Sequence, residues 1–266
     1  VGDAKTDAKA LDAAIDELPA EVELAVVCGR TQAGVEAAAA KLGFAEAATS
    51  WPDVIGRKDI DVVDVCTPGD SHAEIAIAAA EAGKHVLCEK PLANTVEEAE
   101  AMADAAARAA ERGVRSMVGF TYRRVPAVTF LRDLIALGVV GTVQQVRAAY
   151  RQDWLVDPSM PLAWRLQKEH AGSGALGDIG AHIIDMTQFI TGQTVDAVSG
   201  TIDTIVPERP LLGSGSGLSG TWIPHGRTAN RTTHQIRKKT KIPEIHPISG
   251  LLQLDQGAAG VLAMQK

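Results

Sequence analysis

Three residues have types and placement suited to one kind of chemistry. Lys90 stands in Cys88-Glu89-Lys90-Pro91-Leu92 at the end of a short apolar run. Asp178 and His182 lie together in Gly177-Asp178-Ile179-Gly180-Ala181-His182. Oxidising a secondary alcohol requires a group to take the hydroxyl proton, and an imidazole does so near neutral pH, which makes His182 the candidate base. Lys90 can hold the alcohol oxygen and stabilise negative charge developing on it. Asp178, if the helix beginning near it already includes it, shares a face with His182 and can orient the ring or bind substrate. Loss of hydride from carbon belongs to a cofactor. Blander readings stand beside these: Lys90 as a solvated surface lysine, and His182 as a packing or capping residue. Asp178, His182 and Asp185 also share helical spacing that could suit a metal. No fourth ligand is evident for that last reading, so no metal is expected.

Such residues need elements to hold them, and the chain supplies strand and helix in alternation. Val22 to Cys28 reads as a strand and Gln32 to Leu42 as a helix ended by Gly43 at C′. Asp61 to Cys66 is a second strand. Ser71 with Glu74 has the capping-box pattern for a helix closing at Gly83, and His85 to Cys88 is a third strand. Thr95 with Glu98 repeats the pattern, the helix runs to Arg112, Gly113 stops it, and Val114 to Phe120 returns as a strand.

Apolar strands joined by helices predict a parallel sheet that binds ligands at the carboxyl ends of its strands. Those ends read Gly29-Arg30-Thr31, Thr67-Pro68-Gly69-Asp70-Ser71-His72, Glu89-Lys90-Pro91 and Thr121-Tyr122-Arg123. Beyond Arg124 the pattern changes to a helix over Pro126 to Leu137, a long alternating strand over Thr142 to Tyr150, and a helix over His182 to Ile190 ended by Gly192. A strand over Val195 to Val206 and a hairpin over Leu251 to Leu262, turning at Asp255-Gln256-Gly257, complete it. The expected fold class is α/β: a Rossmann-type parallel sheet over residues 1–121, then an α+β domain over 122–266 built on an open-faced, mainly antiparallel sheet.

Thr67-Pro68 with His72, then Cys88-Glu89-Lys90-Pro91-Leu92, then Gly177-Asp178-Ile179-Gly180-Ala181-His182-Ile183-Ile184-Asp185, resemble in order and placement the motifs of the glucose-fructose oxidoreductase and inositol dehydrogenase family. The resemblance implies a nicotinamide-dependent oxidoreductase acting on a sugar, polyol or related hydroxy compound. Lys90 would reach both the nicotinamide ribose and the reacting hydroxyl, with Asp178 and His182 as the second catalytic pair. Gly29, Arg30, Thr67, Pro68, His72, Glu89, Lys90 and Pro91 would face the cofactor. Arg123, Trp164 and Arg165, with Asp178 and His182, would face the substrate, an arginine at a strand end being a good anchor for hydroxyl or carboxylate. Arg30 tilts the cofactor from NAD toward NADP, because an acidic residue there accepts ribose hydroxyls whereas arginine accommodates a 2′-phosphate. Homo-oligomers through the C-terminal sheet are implied as well.

The sequence also departs from that family. Nothing before Val22 supplies the strand and GxGxxG-like loop that cradle the pyrophosphate, so a gap is expected in the parallel sheet. The family normally continues beyond the region of Lys266, and a chain truncated at both ends is expected. Gly172-Ser-Gly174-Ala-Leu-Gly177 and Gly215-Ser-Gly217-Leu-Ser-Gly220 match the loop literally but follow no apolar strand. The rival expectation is a non-catalytic sugar- or nucleotide-binding regulator on the same fold.

Composition bounds the remaining classes. The 266 residues are 46% hydrophobic and 22% charged, as in an ordinary globular protein. A net charge of -7 argues against nucleic acid as a partner, although the segment from His225 to His246 is basic and reads as a solvated insertion or divergent loop. No apolar run reaches about 18 residues, as a membrane span would need, and the opening residues lack a signal-like apolar region, so a cytoplasmic location is expected. Cys28, Cys66 and Cys88 have no metal or CxxC spacing and are expected as buried free thiols.

Overall fold

The computed structural model describes residues 22–163 and 166–210, and the backbone of strands Leu252–Asp255 and Gly260–Gln265. β1 (Val26–Cys28) leads into α1 (Gln32–Leu42), which ends at Gly43 with φ 82° and a bond from the glycine N–H to the Ala39 carbonyl. Left-handed backbone there is cheap only without a Cβ. β2 (Glu46–Ala48) and α2 (Trp51–Ile55) follow. Neither is expected from sequence, because Glu-Ala-Ala carries no β-branched or aromatic signal and α2 is too short to show a helical period. β3 (Val62–Val65), α3 (His72–Glu81), β4 (His85–Cys88), α4 (Val96–Ala110) and β5 (Ser116–Val118) complete the alternation.

The two capping patterns have different outcomes. Thr95 and Glu98 exchange side-chain-to-backbone bonds of 3.1 Å in both directions at the start of α4. Ser71 does not cap. A 3₁₀ turn over Gly69–Ser71 precedes α3, and the Ser71 hydroxyl lies 2.8 Å from both the Thr67 hydroxyl and the Pro68 carbonyl.

β1 and β2 pair in parallel, Val26 opposite Glu46, while β3, β4 and β5 form a second sheet in that order, Val65 opposite Cys88. Among the described residues these are two separate hydrogen-bonded groups. Alanines Ala79, Ala80, Ala105 and Ala109 of α3 and α4 are buried, as are Val65, Val86 and Cys88 of the strands. Buried Lys84 is satisfied by the carbonyls of Arg57 at 2.5 Å and Ile60 at 2.8 Å. Of the cysteines, only Cys88 is buried. Cys28 is half-buried and Cys66 is exposed, because it lies just past the paired residues of β3.

The rest of the chain contains α5 (Pro126–Ala136), β6 (Gln145–Tyr150), a short α6 (Lys168–Ala171), α7 (Ala181–Thr191), β7 (Gly200–Asp203), β8 (Leu252–Asp255) and β9 (Gly260–Gln265). Its sheet runs β6-β9-β8-β7, antiparallel except for the β7–β8 pair. β6 alternates exposed and half-buried residues and β7 is exposed throughout, as expected of a sheet with an open face. This is the expected fold class, a doubly wound parallel sheet followed by an α+β portion.

The chain divides into two compact units. One holds β1 to β4, β5 up to Met117 and most of their helices. The other holds the segments Cys66–His72 and Glu89–Ala99 together with everything from Val118 onward. The loops after β3 and β4 thus belong with the second unit. No helix among the described residues is long and apolar enough to cross a membrane.

Candidate active site

Lys90 leaves β4 one residue beyond Glu89, whose carboxylate accepts the Lys90 N–H at 2.9 Å. Its ammonium donates to two oxygens of a single residue: the Asp178 main-chain carbonyl at 2.7 Å and Oδ1 at 2.8 Å. Only 11% of the lysine side chain is exposed, which rules out the solvated surface lysine. Such a charge-assisted pair fixes the ammonium in place.

Asp178 can present both oxygens because it sits in a π-helical turn, Leu176–Gly180, that runs directly into α7. The Ala181 N–H reaches back five residues to the Leu176 carbonyl, and turns widened this way recur at functional sites. Gly177 packs closely there. A Cβ on it would lie 2.7 Å from Ser173 Oγ and 3.6 Å from Pro91 Cγ. The Gly172–Gly177 stretch follows α6 and no strand, so its literal glycine-loop spacing is a decoy.

His182 occupies the first turn of α7. Its ring meets Tyr122 edge-on at 4.7 Å between centroids, with Phe120 and Tyr150 each at 6.3 Å. Nδ1 is buried and has no hydrogen-bond partner among the described residues. Burial pulls the imidazole below its ordinary pKa and the Lys90 ammonium lowers it further, against the carboxylates of Asp178, Glu89 and Asp185. The result is a neutral imidazole beside a fixed cation.

The remaining expected residues take varied positions. His72 is fully buried, with Nδ1 3.0 Å from the Pro91 carbonyl and Nε2 2.7 Å from the Thr67 carbonyl. It staples the loop after β3 to the turn that carries Lys90 and presents no nitrogen to a ligand. Pro68 and Thr67 are half-buried in that loop, and Pro91 follows a cis peptide. In the other unit, Gly29 bonds the Ala48 carbonyl at 3.1 Å and Arg30 is exposed at the end of β1. Trp164, Arg165, the basic segment 225–246 and the hairpin turn lie outside the described residues.

Arg123 does not stand free as a substrate anchor. Its Nε bonds Asp185 Oδ2 at 2.9 Å, its Nη2 bonds Oδ1, and its guanidinium stacks on Phe120 and Phe189. Asp185, buried in α7, is thereby occupied as well. Among the described residues no three His, Cys, Asp or Glu side chains gather in a way that could hold a metal. Arg123→Met strands the Asp185 carboxylate and is expected to destabilise the fold by about 2 kcal/mol in urea unfolding, less than a fully buried pair because the arginine is nearly half exposed. An unchanged midpoint would remove the pair from the account.

Sequence reasoning missed four polar residues. The Tyr122 and Tyr150 hydroxyls lie 2.5 Å apart, Gln152 Nε2 donates to Tyr150 at 3.2 Å, and Trp154 Nε1 donates to Gln152 Oε1 at 2.8 Å. The available signal was position: Tyr122 stands at a strand end and is one of two tyrosines in the chain.

The family described as "Oxidoreductase family, NAD-binding Rossmann fold" matches residues 2–120, and the GFO/IDH/MocA C-terminal domain matches residues 128–265. Levoglucosan dehydrogenase of Pseudarthrobacter phenanthrenivorans is 49% identical over 184 residues, 69% of this chain and 46% of the relative. The 1,5-anhydro-D-fructose reductase of Ensifer adhaerens is 37% identical, covering 56% of this chain and 43% of its own. Among solved structures, an oxidoreductase domain protein from Kribbella flavida gives a TM-score of 0.71 at 57% identity, covering 78% of this chain and 56% of that one. A levoglucosan dehydrogenase in complex with NADH and levoglucosan gives 0.68 at 42% identity, covering 76% and 54%. The chain spans about half the length of these relatives.

Proposed function

This chain belongs to the GFO/IDH/MocA oxidoreductase family, and from that premise we propose that it oxidises a secondary hydroxyl of a sugar or polyol with NAD or NADP, or runs the reverse reduction. The observation that carries this reading is the juxtaposition of an ammonium fixed by two Asp178 oxygens with a neutral His182 whose Nδ1 lacks a partner. Lys90 holds the reacting oxygen and stabilises the charge left on it as its proton departs. His182 takes that proton, and its lowered pKa keeps it unprotonated for the task. Asp178 positions Lys90. Thr67, Pro68, Glu89 and Pro91, on loops that His72 stiffens, line the cofactor side, with Gly29 and Arg30 at the end of β1. Taken by chemistry alone, Arg30 offers an exposed cation suited to a ribose phosphate, and Lys90 offers a fixed one suited to a ribose hydroxyl. A bound nicotinamide would supply the acceptor for the hydride lost by the carbinol carbon, while Lys90 holds the oxygen and His182 takes its proton. Substrate contacts by Trp164 and Arg165, domain limits at 1–121 and 122–266, and a homo-oligomer formed through the open sheet belong to the same proposal.

Two relatives are named for anhydro or levoglucosan chemistry, which makes levoglucosan the first substrate to assay. Following nicotinamide fluorescence and absorbance, the protein is expected to bind NADH or NADPH saturably and to reduce the oxidised nucleotide when levoglucosan is added. A folded chain that binds neither nucleotide would sink the reading. Arg30→Asp is expected to weaken NADPH about tenfold relative to NADH, the loss of one charge-assisted contact. An unchanged ratio would leave Arg30 without a role in cofactor choice.

A further inference from the structure

We propose that Asn94 is a positioning residue for the Lys90–Asp178 pair, its amide locking the loop that precedes Asp178 onto the turn that carries Lys90. The inference deepens the oxidoreductase reading and rests on it for the role given to Lys90. Asn94 follows Lys90 in the turn after β4, where its main-chain N–H donates to Glu98 at 3.1 Å beside the start of α4. Its side-chain Nδ2 donates to the His170 carbonyl at 3.1 Å. Because a carbonyl only accepts, this bond settles which way the amide lies. Oδ1 is then buried without a hydrogen-bond partner among the described residues. Backbone surrounds it: a Cβ at Gly69 would lie 2.8 Å from Oδ1, and one at Gly172 would lie 3.2 Å away. The oxygen fills the space that a side chain on either glycine would need.

One side chain thus joins three segments distant in sequence, all in the second unit: the loop after β3, the turn after β4 and the stretch after α6. Asp70 and His170 tie the first of these to the last, with His170 Nδ1 3.0 Å from Asp70 Oδ2. The stretch from His170 to Gly177 leads straight into Asp178. Its far end also rests on the Lys90 turn, since a Cβ on Gly177 would meet Pro91 Cγ at 3.6 Å. The loop is therefore held at both ends by residues 91–94, and the Lys90 ammonium, bonded to the Asp178 carbonyl and Oδ1, closes the ring. A buried amide oxygen without a donor costs stability. Packing alone does not account for an asparagine there, whereas the bond from Nδ2 to the loop does. Such placement matters to the rate, because about an ångström of drift in a reacting group costs about a hundredfold.

Lysine acetylation followed by mass spectrometry tests the placement without calling on turnover. Acetic anhydride takes accessible, unprotonated amines, so Lys90, 11% exposed and bonded twice to Asp178, is expected to react slowly. Asn94→Ala is expected to speed Lys90 about tenfold, the loss of one charge-assisted contact. Lys84, buried on the carbonyls of Arg57 and Ile60 in the other unit, is the internal control and is expected to keep its rate. Gly69→Ala reaches the same contact from the opposite side, its Cβ pressing on Oδ1. It too is expected to speed Lys90, and to add nothing once Asn94→Ala has removed the oxygen. With levoglucosan as probe, Asn94→Ala is expected to lower kcat about tenfold. In a Lys90→Met background it is expected to cost nothing further, as befits a residue acting through Lys90.

The outcomes separate the two claims. An unchanged Lys90 rate in Asn94→Ala, an equal rise at Lys84, or a further gain from Gly69→Ala beyond Asn94→Ala would overturn the positioning role and leave the dehydrogenase standing. Additive losses of kcat in Asn94→Ala and Lys90→Met would do the same. A folded wild type that binds neither nucleotide, yet releases Lys90 selectively in Asn94→Ala, would overturn the oxidoreductase reading and keep the placement of the pair.

Discussion

Lys90→Met is expected to lower kcat for alcohol oxidation by about a hundred- to a thousand-fold, the cost of removing one preorganised donor from a developing oxyanion. Methionine nearly matches the lysine stem in length and offers no hydrogen, so the change isolates the ammonium. Two consequences accompany the loss. The Asp178 carboxylate, 28% exposed, keeps partial access to water, so the stability cost stays small compared with breaking a fully buried pair. His182 also loses a cation that holds its pKa down, so the acid limb of any residual activity is expected to move to higher pH. Steady-state kinetics from pH 5 to 9 with a urea midpoint would separate these effects. Wild-type kcat in a folded variant would remove Lys90 from the chemistry.

Lys90, Asp178 and His182 were legible in the sequence because each sits where element boundaries are sharp. Lys90 follows a buried strand whose limits, His85–Cys88, are those expected, and α7 differs from its expected span by one residue at each end. The π turn was not legible, since no residue pattern distinguishes reaching back five residues from reaching back four. It changes the meaning of Asp178, from a partner on the face of His182 to the anchor of Lys90 through both of its oxygens. Arg123 shows a second limit. A strand-end arginine and a helical aspartate 62 residues later carry no mutual signal in sequence, yet the pair commits Arg123 Nε and Nη2 to Asp185. His72 was found for the right motif, but its burial between two carbonyls makes it a staple for the Lys90 turn. The tyrosine pair joins a 3₁₀ turn to the end of β6, a tertiary meeting that local periodicity cannot report.

His182→Asn is expected to reduce kcat by about a hundred- to a ten-thousand-fold, the range for losing a positioned general base. Its diagnostic feature is the pH profile. The base works when unprotonated, and burial together with Lys90 holds its pKa below the ordinary imidazole value of about 6.5. Oxidation by the wild type should therefore rise with pH through a limb lying below that value and be nearly flat above it. Asparagine has no proton to lose in this range, so the limb should vanish in the variant while its low rate persists. Asp178→Asn sharpens the test. The Asp178 carboxylate raises the His182 pKa, so neutralising it should move the limb to still lower pH even as the loosened Lys90 lowers the rate. A limb that stays fixed in Asp178→Asn, or survives in His182→Asn, would assign the titration to another group and leave the general base unidentified.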